Sequence, residues 1–127
     1  MEVVRGRYSS RGIACLCVLQ WTDKYTGLGE IGESAYLPRA VETMIDTRFK
    51  KMLLGEDPFN IEKIWRKLYI QSAHYGRRGV IATILSGIDI ALYDVMGKIL
   101  QRPVYDLIGG SIEQNLRHMP VGEWRNL

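Results

Sequence analysis

The sequence predicts an α+β fold, a small antiparallel β-meander followed by a helical bundle. Strand-like runs of β-branched and apolar residues lie before residue 36, and apolar residues recur at helical spacing from Pro38 to Leu100. The two kinds of segment do not alternate, so they pack as a sheet against helices rather than as βαβ units. With 127 residues, the chain cannot hold a complete (β/α)8 barrel, which needs about 250.

The first strand candidate is Glu2-Val3-Val4, and residues 6–12, GRYSSRG, are then the loop that follows it. Residues 13–21, IACLCVLQW, are apolar and partly β-branched and read as a buried strand. The segment TDKYTG turns the chain at Asp23 and Gly27. LGEIGES brings a strand back, so residues 13–35 form an antiparallel hairpin.

Pro38 suits the first turn of a helix, and Val41, Met44, Ile45, Phe49, Met52 and Leu53 carry its apolar stripe up to Gly55. Asn60 is a good N-cap for the next helix, whose stripe is Ile61, Ile64, Trp65, Leu68 and Tyr69. Glu62 and Arg66 are placed there for an i,i+4 ion pair. After the polar loop SAHYGRRG, the longest helix runs over residues 80–100, with Ile81, Ile84, Leu85, Ile88, Leu92, Val95 and Ile99 on its core face. Ile90, Ala91 and Met96 widen that face, and Gly87, Ala91 and Gly97 let a second backbone approach. Pro103 ends the helix, PVYDLIGG is a short helical turn, and residues 111–127 hold one possible strand.

Composition narrows the function classes. Apolar residues make up 46% and charged residues 24%, ordinary values for a chain that folds. The net charge of +3 comes from short basic groups (Arg48/Lys50/Lys51, Arg66/Lys67, Arg77/Arg78) interleaved with apolar and acidic residues, not from the dense stripe a nucleic acid needs. Cys15 and Cys17 share one face of a strand and cannot bridge one another, and free thiols fit a reducing compartment. The N-terminus shows no apolar core of a secretory signal, so a cytoplasmic location is expected. Asp89, Asp94 and Lys98 interrupt the long apolar helix, which is read as buried and not as a membrane span.

No catalytic array is visible. Asp89 and Asp94 point about 140° apart on their helix, so they do not pair; Asp94 is expected to pair with Lys98, and Asp89 to need a partner if buried. His74 and His118 have no Cys or Glu nearby at zinc-ligand spacing. Residues 27–32, GLGEIG, match G-x-G-x-x-G literally but lie within a strand and open no helix, so a dinucleotide site is rejected. Those glycines are read instead as a twisted strand under a close backbone. Glu30 and Glu33 fall on opposite faces of that strand.

Three stretches together resemble one family: Thr22-Asp23 followed by GLGEIGES, then GEDPFNIEKIWRKLY, then GVIATILSGIDIALYDVMGKILQRPVYDLIGG. They are similar to the N-terminal capping domain of the enolase superfamily in its mandelate racemase/muconate lactonizing enzyme branch, and most similar to acid-sugar dehydratases of the galactonate dehydratase type. The likeness spans about residues 13–118. It implies an enolase N-terminal-domain-like fold without the barrel: residues 1–110 the cap, residues 111–127 the start of the link into a (β/α) barrel. In that family the barrel holds an acidic triad for Mg2+ and the bases that abstract a proton next to a carboxylate. The resemblance therefore places no catalytic and no metal-binding residue in these 127 residues. Mg2+ and an acid-sugar substrate are expected only with the barrel present, and the chain alone is expected to be inactive.

What the resemblance carries over is the cap's role. Two loops, at about residues 6–12 and 34–38, would close over the substrate and help set specificity. Arg7, Tyr8 and Arg11 on the first, and Tyr36 on the second, are the substrate-contacting candidates, able to make charge-assisted or hydroxyl hydrogen bonds. A homo-oligomer is expected, with neither nucleic acid nor membrane as partner. Racemase and cycloisomerase chemistry stay open beside dehydration. The alternative is a non-catalytic module, stand-alone or truncated, acting in binding or oligomerisation.

Overall fold

Three strands, β1 (Glu2–Tyr8), β2 (Cys15–Gln20) and β3 (Thr26–Ile31), form one antiparallel sheet of order β1-β2-β3, and β3 alternates buried and exposed residues from Gly27 to Ile31. The computed structural model describes residues 2–8, 15–32, 37–76 and 78–110, with side chains from Cys17 onward. β2 and β3 pair without interruption from Cys15↔Ile31 to Gln20↔Thr26, which is the expected hairpin. Trp21 N–H donates to the Tyr25 carbonyl at 3.0 Å and closes its turn.

β1 corrects one expectation. Gly6, Arg7 and Tyr8 are not loop residues; they continue the strand, with Arg7 opposite Leu16 and Tyr8 opposite Cys15. The register shifts between Val4 and Arg7, a bulge at the point where Gly6 removes a side chain from the strand.

The helical part starts at Pro38, as expected. α1 (Pro38–Met44), a π-helical turn (Ile45–Phe49) and α2 (Lys50–Leu53) form one continuous segment with Val41, Ile45, Phe49, Met52 and Leu53 buried. The wider π turn was not foreseen from spacing alone. It holds Ile45 and Phe49, four apart, on the same buried side. The segment stops where Gly55 takes φ +79°, a left-handed conformation that glycine adopts cheaply.

α3 (Ile61–Gln71) buries Ile64 and Leu68, while Trp65 is 40% exposed and stacks on Tyr69, ring centroids 4.9 Å apart. Asn60 occupies the N-cap position but makes no side-chain cap bond; Asp57 instead accepts from Phe59 N–H at 3.0 Å in the preceding turn. The expected Glu62–Arg66 pair is also replaced. The carboxylate of Glu56 binds Lys63 at 3.0 Å and Lys67 at 2.7 Å, and Lys67 further donates to the Met52 carbonyl at the end of α2. A cation at a helix C-terminus satisfies an orphan carbonyl and complements the dipole.

A 3-10 turn (Ala73–Tyr75) leads to α4 (Val80–Leu100), whose bounds agree with the sequence reading. Its buried residues are Ile81, Ile84, Leu85, Gly87, Ile88, Ala91, Leu92, Val95 and Gly97. Ile90 departs from expectation: it is 50% exposed, since helical phase carries it away from the sheet. α4 is long and apolar enough to cross a membrane by composition, but it is the element on which the sheet and α3 pack. Gln101 closes it in a left-handed conformation, and α5 (Val104–Leu107) follows Pro103. A single core joins Cys17, Leu19 and Ile31 of the sheet to the buried faces of α1–α4.

The sheet reaches α4 through glycine. A Cβ on Gly29 would run into the Gly87 carbonyl oxygen, and one on Gly27 into the Ala91 carbonyl oxygen and the Val95 side chain. A Cβ on Gly87 would in turn strike Ile31 and lie 3.1 Å from the Glu30 carbonyl oxygen. The expected close approach of backbones at Gly87 is therefore present, with β3 as the partner.

Candidate functional site

The pairing register brings three strand ends together. Tyr8 ends β1 opposite Cys15, and Cys15 begins β2 opposite Ile31, which ends β3. The 9–14 connection and the chain after Gly32 thus leave the same end of the sheet. The two loops expected to close over a substrate, at about residues 6–12 and 34–38, overlap these connections. Arg7 and Tyr8 sit on the last two positions of β1, at that end, rather than on the loop itself. Arg11 and Tyr36 lie outside the described residues, as does the expected strand in residues 111–127.

The opposite end of β3 carries a polar group that ties α4 to the strand. Asp94 and Lys98 pair at 2.7 Å, as the spacing predicted. They also do more than pair. Asp94 Oδ2 accepts the Leu28 N–H at 2.8 Å, and Lys98 Nζ donates to the Thr26 carbonyl at 2.7 Å. Helical spacing alone showed the pair; only the packing of α4 on β3 showed what it holds.

Asp89 is partly buried on α4. Burial pushes its carboxyl pKa above the ordinary value of 3.8, and the nearby negative Glu62 adds to that. None of the described ion pairs engages it. It borders an open groove of about 490 Å³ together with Leu28, Ile90 and Tyr93, and with Val104 and Ile108 on the far side. Leu28, Ile90 and Ile108 are each about half exposed or more, so the groove presents apolar surface. A second hollow lies beside the π turn, where the Arg48 guanidinium stands 5.7 Å over the Tyr75 ring.

Among the described residues, no three His, Cys, Asp or Glu side chains come together to hold a metal ion. Asp94 is committed to Lys98 and to the Leu28 amide, His74 is exposed, and Cys17 is buried in the core. The donor set does not suit Mg2+, and no step through a metal can be built on this chain's described residues. G-x-G-x-x-G serves packing, as argued from its place in a strand: Gly27 and Gly29 face α4, and Gly32 faces open space.

Residues 8–109 match the mandelate racemase/muconate lactonizing enzyme N-terminal domain, and the chain belongs to that family. Arabinonate dehydratase of Saccharolobus solfataricus is 42% identical over 94 residues, 73% of this chain and 25% of that protein. Among solved structures, rhamnonate dehydratase from Gibberella zeae complexed with Mg superposes with a TM-score of 0.69 at 32% identity. The match covers 79% of this chain and 24% of that one. A racemase from Streptomyces coelicolor with bound magnesium also has a TM-score of 0.69, at 35% identity, over 77% of this chain and 29% of its own. The chain spans about a quarter of the length of these relatives.

Proposed function

We propose that this chain is the capping portion of a Mg2+-dependent sugar-acid dehydratase, in which proton abstraction next to a carboxylate is carried out by a barrel outside these 127 residues. The observation that carries the reading is the 42% identity to an arabinonate dehydratase across the cap. The common departure point of the 9–14 and 33–36 connections supports a role in covering substrate: Arg7, Tyr8, Arg11 and Tyr36 contact its carboxylate or hydroxyls. Carboxylates of the barrel, not residues of this chain, would hold Mg2+, which would supply electrostatic stabilisation of developing negative charge. On this reading residues 1–110 are the cap and 111–127 begin the link, and the apolar side around Leu28, Ile90 and Ile108 lies against the remainder of the polypeptide. A cytoplasmic, homo-oligomeric enzyme without nucleic-acid or membrane partners is the accompanying expectation.

A racemase is similar over the same cap, so the choice of dehydration rests on the barrel residues and not on the cap. The test is to read the coding sequence beyond Leu127 and to assay its full product with Mg2+ on five- and six-carbon aldonic acids. Lys-x-Lys followed by spaced Asp, Glu and Glu, with dehydration activity, is expected; the 127-residue chain alone should turn over none of them. A stop codon after Leu127, or racemisation without dehydration, would overturn the reading.

A further inference from the structure

β3 is the last strand of its sheet, and a last strand offers unpaired N–H and C=O groups to any other chain. In an antiparallel strand these groups alternate, so Thr26 and Leu28 direct theirs to the same side. One group on each is already taken. The Leu28 N–H meets a carboxylate oxygen at 2.8 Å, and the Thr26 carbonyl meets an ammonium at 2.7 Å. The two side chains come from one face of α4 and neutralise each other at 2.7 Å.

The match of spacings is physical. Residues i and i+4 of a helix rise about 6 Å, and alternate residues of a strand about 6.8 Å. An acceptor and a donor four apart on α4 therefore fall beside an N–H and a C=O two apart on β3. That fit needs α4 nearly in contact with the strand. Gly27 and Gly29 allow it, since a Cβ at either would overlap α4 backbone.

We infer that the Asp94–Lys98 pair acts as a surrogate fourth strand, presenting one acceptor and one donor where a neighbouring strand would, and so closes the β3 edge against strand addition by a second copy of this chain. Half of this device is an acid and half a base, so the edge is filled without leaving net charge on it. Hydrogen bonds to charged groups are shorter and stronger than those between neutral ones, which an incoming neutral strand would have to displace.

The test removes the surrogate. In the full chain, Asp94→Ala with Lys98→Ala should lower exchange protection of the Leu28 amide by about tenfold or more at low protein concentration. Raising the concentration should restore that protection, while sedimentation shows at least a doubling of mass over the unsubstituted chain. The same association in an Ile90→Lys background would assign it to the strand edge rather than to the apolar groove. A folded double variant whose Leu28 amide exchanges freely with no added association would overturn the inference. So would a Leu28 amide that is unprotected in the unsubstituted chain. Should the double variant not fold, Lys98→Met opens the Thr26 carbonyl alone; association above the unsubstituted level supports the inference, and its absence refutes it.

Discussion

Gly29 lies within β3 and Gly32 directly follows its last residue, yet their surroundings are opposite. A methyl group on Gly29 would overlap the Gly87 carbonyl, a backbone atom that cannot rotate away, whereas one on Gly32 meets nothing within 4 Å. Gly29→Ala is expected to destabilise by about 3 kcal/mol or more, the upper range for overpacking, and Gly32→Ala by less than about 0.5 kcal/mol. Urea denaturation of the two variants checks this, and equal effects would mean that α4 does not lie where it is described. Glu56 gives a second test, by pH. Its hydrogen bond with Lys67, then that with Lys63, holds its carboxyl below the ordinary value of 4.5. A depressed folded-state pKa stabilises above the unfolded value, and that contribution is lost as pH falls through the folded value. Glu56→Gln should therefore cost about 0.5–1 kcal/mol at pH 7, because Lys67 is partly exposed and screened, and the difference should shrink as pH falls below 4.5 and vanish once pH lies below the depressed folded-state value. A difference that persisted in acid would point to packing instead of charge.

At the level of elements, α4 decides the fold, because both the sheet and α3 rest on it. Ile88 is 1% exposed at its centre, while Glu62 on α3 is exposed and lies near Asp89 instead of pairing with Arg66. Ile88→Ala is expected to cost about 2–5 kcal/mol, and Glu62→Ala no more than about 0.5 kcal/mol. Guanidinium denaturation midpoints would rank them, and a reversal would place the core face of α4 elsewhere. The π turn between α1 and α2 shows how far spacing reaches. Apolar positions at 41, 45, 49 and 52 suit an ordinary helix nearly as well, so periodicity reported a helix and not its local winding.

For the whole molecule, the uneven distribution of apolar surface matters most. Leu28, Ile90 and Ile108 are exposed and border the groove. Contiguous apolar surface of a few hundred Å² seeks a partner. The isolated chain is expected to self-associate at tens of micromolar, and Ile90→Lys to reduce that association without lowering the melting temperature. Sedimentation velocity with a thermal melt checks both. A strictly monomeric unsubstituted chain would show that this face does not drive contact.

Much of this was legible in the residues themselves. Strands before helices, the bounds of α4, the Asp94–Lys98 spacing, the packing role of the glycines and the family resemblance all follow from patterns local to the chain, where one residue's side chain constrains its near neighbours. The candidate site was legible only as residue names, and pairing then moved Arg7 and Tyr8 from a loop onto the end of β1. Local pattern could not show that β1 runs past Gly6, because a bulged strand is held by its partner rather than by its own alternation. Nor could it show which cation Glu56 takes, since Lys63 and Lys67 reach it only once the turn after α2 folds back on α3. Tertiary structure alone decided that Asp94 and Lys98 grip β3 across more than sixty residues of sequence: such a contact depends on two backbones meeting, and no spacing along one chain encodes that meeting.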